Sequence, residues 1–257
     1  MMRAFHGDPK IKENYLARVA EHMRLDQVIQ GHGWDRSTQR GCAVGCTLDA
    51  YDHGRYPVEL GIPTEVAHVE DRMHELQTLD DAKQWPQRFL SAIEPGADLG
   101  GVWPKFAIWL LVDDTWGVVR FAEGRADVRA AIERVAELYR IGGTPEQFRA
   151  AYAAARAAAF AADDAVAAED AAGWAAYAAA RAAAAADAAA AADDAADAAG
   201  WAADAADARA RAIDAADAAE DAIDAADAAA TDAGHTGWVV AARDKLLELL
   251  AAAPVVP

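Results

Sequence analysis

AADDAADAAG, WAADAADARA, RAIDAADAAE and DAIDAADAAA follow one another without interruption from residue 191 to residue 230. Alanine fills most places of this ten-residue repeat, and aspartate holds the fourth and seventh place of every unit. Alanine loses no side-chain entropy in a helix and leads the propensity scale, so the repeat dictates helix and sets the fold class as all-α. The acids Asp194 and Asp197, Asp204 and Asp207, Asp214 and Asp217, Asp224 and Asp227 form a ladder of carboxylates on that scaffold. Each residue advances by about 100°, so ten residues fall roughly 80° short of three turns and the ladder sweeps about 240° over four units. One straight helix would then show carboxylates nearly all round. Either a partner surface winds with the stripe, or the segment breaks into shorter helices.

Outward from the repeat, composition changes near residue 143, which divides the chain into a mixed helical domain, 1–143, and an Ala/Asp-rich helical region, 144–257. Thr144, Pro145 and Gln147 supply the N-cap, first-turn proline and third-position amide that open the second region. An amphipathic helix over 238–252 closes it. Alanine burial gains little, about 0.8 kcal/mol per methylene-sized group, but small side chains let helix axes come nearer than the usual 8–10 Å or so. The expectation is a close-packed bundle or repeat array of Ala-rich helices against which the amino-terminal domain packs. Gly173-Trp174, Gly200-Trp201 and Gly237-Trp238 read as corners, where glycine weakens the helix and tryptophan anchors it.

In the first domain, apolar residues recur at threes and fours from Pro9 to Gln30, predicting an amphipathic helix capped by Asp8 and ended by Gly31 and Gly33. Residues 31–62 are glycine-rich without helical period, an irregular stretch and the natural place for a site. Helices are predicted over Thr64–Leu76, over Asp80–Ile93 with a kink or break at Pro86, and over the apolar run 106–112. Another spans Arg125–Arg140 and stops at Gly142 and Gly143.

The formal net charge of −18 opposes direct binding to DNA, RNA or an anionic membrane and favours a basic protein partner. Met1–Lys10 has no apolar core of a signal peptide, and no charge-free apolar stretch of about 18 residues occurs, which points to a cytoplasmic protein. Cys42 and Cys46 are too few and too close for a disulfide framework.

Two kinds of chemistry fit the glycine-rich stretch. Cys42, Cys46, His53 and either His32 or His6 offer the thiolates and imidazoles that tetrahedral zinc takes, although only the Cys42–Cys46 spacing is tight enough for a structural site. No other cofactor is expected, and the bland alternative is two small buried cysteines in a glycine turn. RGCAVGCT, 40–47, also has the glycines of an anion loop, with Arg36, Arg40, Gly41, Gly45 and Thr47 as candidate contacts to a small nucleotide-like molecule. It is not a phosphate-binding Walker loop, because Cys46 stands where lysine is required. A Cys42 or Cys46 nucleophile with His53 or His6 as base is conceivable, but no triad or paired-acid constellation stands out and an enzyme is not indicated. His68, Asp71 and Glu75 share one helix face, which reads as solvated.

The segments AFHGDPKIK at 4–12, GCAVGCT at 41–47 and ELGIP at 59–63, with the alanine-rich second half, resemble a family of bacterial and phage-associated hypothetical proteins. That resemblance implies no catalytic residues. The second half is similar in composition to alanine-rich proteins assigned an immunity role. The resulting expectation is a non-catalytic acidic binding protein of immunity or phage counter-defence type, engaging a basic macromolecule as nuclease inhibitors and DNA mimics do. A small-molecule or zinc-binding protein using the Gly/Cys/His loop is the alternative, and a structural Ala-rich scaffold with aspartates for solubility is the second.

Overall fold

Asp8 accepts a hydrogen bond from the Lys10 amide at 2.9 Å and Pro9 takes the first helical position, so α1 (Pro9–Arg24) begins where its cap requires. This computed structural model describes residues 2–163, 175, 178–186, 217–231 and 237–256. Among them the fold is all-α, and the sheet consists of two short antiparallel strands, β1 (Trp34–Asp35) and β2 (Arg40–Gly41). Packing divides the chain into two units, Met1–Trp103 with Ala242–Pro257, and Pro104–Ala241. This division differs from the compositional one at residue 143.

In the first unit, α1 is shorter than its periodicity predicts. Asp26 adopts a left-handed φ of 54°, which ends the helix, and Val28 and Ile29 then run beside β2, with the Ile29 amide donating to Gly41 at 2.8 Å. The stretch 31–62 is also more regular than expected. It contains α2 (Ala43–Leu48) and α3 (Tyr56–Leu60), each too short to show a helical period.

All six residues of α2 are buried, and α1, α4 (Thr64–Leu76) and α5 (Leu79–Ala92) pack around it. Its small side chains have a packing reason. A methyl group on Gly41 or Gly45 would stand 2.3 or 2.0 Å from the Gly33 carbonyl oxygen, so both glycines admit the backbone that crosses over the helix. Helix α5 runs unbroken through Pro86, starts at a Thr78 cap and is fastened by Trp85, whose indole donates to the Glu70 carbonyl at 2.9 Å.

In the second unit, the apolar run lies in α6 (Val102–Val112), and α7 (Ala126–Ile141) ends at Gly142 in the left-handed region. Thr144 and Gln147 then exchange hydrogen bonds, amide to side chain in both directions, and open α8 (Pro145–Asp163) as a capping box. Helix α8 packs on α7, with Phe148 edge-on to Tyr139 at 5.2 Å. Residues 178–186 and 217–231 are helical too, and most of their alanines are buried. Gly237, at φ 92°, turns the chain into the closing helix, Trp238–Ala251, and Trp238 lies against Trp109. The other two Gly-Trp pairs lie outside the described residues. No helix of the described residues is long and apolar enough to cross a membrane.

Candidate functional site

On helix α4, Val66, Val69 and Met73 form one apolar face at about 100° per residue, and α2, α3, α5 and the turn at His53 pack on the helix and cover polar residues as well. His68, Glu70, Asp71 and His74 are buried as a result. This corrects the reading of His68, Asp71 and Glu75 as a solvated face: Asp71 is 5% exposed and His68 6%, while Glu75 is half-buried and accepts from the Gly31 amide at 2.8 Å.

Asp71 is the centre of a converging set of donors. His53 Nε2 lies 3.0 Å and the Tyr51 hydroxyl 2.9 Å from the same oxygen, Oδ2, and the Cys42 thiol also interacts with this carboxylate. Burial by itself would raise the Asp71 carboxyl, but His53, through its hydrogen bond and charge, together with Cys42 and Tyr51, outweighs burial and holds it below its ordinary value. Its second oxygen, Oδ1, is buried and has no hydrogen-bond partner among the described residues. The neighbouring acid behaves oppositely. Glu70 is fully enclosed, takes a 2.5 Å hydrogen bond from Tyr56 and is pushed well above its ordinary range, chiefly by burial and further by the Asp71 charge.

The loop that follows α2 positions the imidazole. His53 opens a short 3-10 turn, its ring stacks on His68 at 3.9 Å between centroids, and Tyr51 meets it edge-on at 5.0 Å. Tyr51 is 54% exposed and its ring lies on Gly33, where a methyl group would come within 2.5 Å of it. The cluster therefore sits just beneath the surface, covered by one tyrosine.

Of the residues considered for zinc, the structure brings Cys42 and His53 to one carboxylate and leaves the others elsewhere. His6 is exposed and bonds to the Val58 carbonyl, His32 is exposed, and the Cys46 thiol points to the carbonyls of Gly41 and Gln27. Among the described residues, no three of His6, His32, Cys42, Cys46 and His53 have ligand atoms within 4.8 Å of one another. Burial, reinforced by Asp71, pushes the Cys42 thiol far up, and burial lifts Cys46 to about 12, so neither is a thiolate nucleophile at neutral pH. For the anion loop, Arg36 and Arg40 are exposed on the β1–β2 turn, whereas Gly41, Gly45 and Thr47 are buried. The space above both glycines is taken by the Gly33 carbonyl.

In the acidic ladder, Asp194, Asp197, Asp204, Asp207 and Asp214 lie outside the described residues. Asp217 is exposed, and Asp224 and Asp227 are half-buried on helical residues 217–231. Asp221, beside them, forms an ion pair with Arg181.

The class that fold and site define is an all-α protein with a buried carboxylate, imidazole and thiol cluster in one unit and acidic alanine helices in the other. No family model, no curated protein and no solved structure matches the chain.

Proposed function

We propose that this chain is a non-catalytic acidic binding protein, of immunity or phage counter-defence type, that engages a basic macromolecule along its alanine and aspartate helices. The arrangement on residues 217–231 carries this reading. At about 100° per residue, Asp217, Glu220, Asp221, Asp224 and Asp227 fall within an arc of roughly 120°. Ala218, Ala219, Ala222, Ile223, Ala225, Ala226, Ala229 and Ala230 are buried on the opposite side. Over this length the acids make one stripe rather than a spiral, because positions seven residues apart nearly superpose on a helix. The chemistry of the stripe is already used within the chain, where Asp221 takes the guanidinium of Arg181. Charge is distributed to match: over Pro104–Ala241, Asp and Glu outnumber Lys and Arg by more than two to one.

That same ion pair favours a second reading, in which the acids hold alanine helices to one another as a scaffold. The test is affinity for a decalysine peptide. The triple variant Asp217→Asn, Asp224→Asn, Asp227→Asn should bind it several-fold more weakly than Glu13→Gln, Asp80→Asn, Glu94→Gln, which removes three exposed charges elsewhere. Equal losses in the two triples would refute stripe recognition, and a lower melting temperature confined to the first would point to the scaffold.

A further inference from the structure

Over the helical residues 178–186, Ala178, Ala179, Ala180, Ala182, Ala183 and Ala185 are buried, and Arg181 is the one charged side chain. A guanidinium keeps its proton in a protein, so a charge rooted among buried alanines has to find a carboxylate. It finds Asp221 on the acidic stripe, through Nη2. The pairing is incomplete. An arginine fork can take a carboxylate by two parallel hydrogen bonds, yet the Nε of Arg181 is buried with no hydrogen-bond partner among the described residues. Asp221 is not closed off either, since 47% of its side chain is exposed, against 23% for Arg181. A guanidinium arriving from solvent therefore meets the open side of Asp221 and can present both edges of its fork.

We propose that Arg181 is an intramolecular competitor on the acidic stripe, holding Asp221 in the free protein and yielding it to an arginine of the basic partner. This rests on the reading of residues 217–231 as the partner surface, and it adds the chemistry that surface selects, a guanidinium, and the contact that restrains it. In the exchange one guanidinium replaces another on the same carboxylate, so the partner gains the difference between a full fork and a partial one. A lysine ammonium, a point charge without the two-edged geometry, gains less. Removing Arg181 opens Asp221 to any ligand that carries arginine.

Binding of a deca-arginine peptide to the full chain tests this at about 0.15 M salt, where exposed charges more than about 8 Å apart are largely screened. Arg181→Met should bind the peptide about two- to five-fold more tightly than wild type, the range that one partly exposed ion pair is worth. Arg134→Met, which removes an exposed arginine of α7, should leave the affinity nearly unchanged. In the wild type, saturating peptide should move the Arg181 Nε–H resonance toward that of free arginine. An Arg181→Met affinity no higher than that of Arg134→Met overturns the competitor, and so does an Arg181 resonance unmoved at saturation. If the Asp217→Asn, Asp224→Asn, Asp227→Asn triple binds deca-arginine as tightly as wild type, the stripe itself fails and the competitor with it. A triple that binds more weakly, beside an Arg181→Met that gains nothing, sinks the competitor alone.

Discussion

Gly45→Ala places a methyl group 2.0 Å from the Gly33 carbonyl oxygen and 3.1 Å from its carbon. Backbone has to yield by about 1 Å to restore ordinary contact, and the segment that yields also supplies acceptors to the Cys42 amide, which bonds to His32 at 2.8 Å and to Gly33 at 3.2 Å. Overpacking of this kind costs about 1–3 kcal/mol and a weakened buried hydrogen bond about 1 kcal/mol more. Against this, alanine in a helix gains about 1 kcal/mol over glycine. The net is a loss of about 2 kcal/mol, or roughly 4–8 °C in Tm for a chain of this size. Thermal unfolding followed by circular dichroism reads it. The sign matters more than the size. If 40–47 were an open surface loop with a helical turn, the same substitution would leave Tm unchanged or raise it, and that result would refute the placement of α2 at the centre of its unit.

Glu70→Gln should change the alkaline side of the stability profile. Because the folded carboxyl is raised above its unfolded value of about 4.3, its stabilisation is complete below that pH and is lost, by up to about 1.4 kcal/mol per pH unit, as pH rises toward the folded value. The variant should therefore gain on wild type in Tm between pH 5 and pH 8 or so, and parallel profiles would contradict this. Asp71 has the opposite sign. Its folded value is depressed, so its contribution is present above about pH 4 and disappears as pH falls through the folded value, and Asp71→Asn should flatten the acid limb of a pH titration of stability. At pH 7 the same variant should cost about 2 kcal/mol, since His53, Tyr51 and Cys42 lose an ionised acceptor. Thr144→Ala removes the side-chain half of the capping box and should cost about 1 kcal/mol in chemical denaturation, with no loss if α8 starts elsewhere.

Local chemistry made several elements legible in advance. The bounds of α4, the Asp8 cap, the Gly142 stop and the Thr144–Gln147 box all depend on residues within a few positions of one another, which is the range over which sequence pattern acts. The hub of the first unit was not legible. Helix α2 is six residues of small side chains, too short for a period, and its glycines answer to a carbonyl that approaches from residue 33. The site around Asp71 was half legible. Cys42 and His53 stood out as reactive types, but the carboxylate joining them looked like surface because the spacing of His68, Asp71 and Glu75 marks a common face without saying what covers it. The cover comes from α2, α3 and α5 packing on α4, whereas the helix's own pattern of Val66, Val69 and Met73 marks a single apolar face. In the ladder, the spiral computed over four units concealed that any seven-residue step returns to the same face, and residues 217–231 carry their acids on that step.

The stripe is tested most directly by the salt dependence of decalysine binding to the wild type and to the Asp217→Asn, Asp224→Asn, Asp227→Asn triple. Affinity for the wild type should fall steeply and linearly on a log–log scale as salt rises, and the triple should bind more weakly at low salt with a distinctly shallower slope. Identical slopes for the two proteins would contradict recognition through these carboxylates.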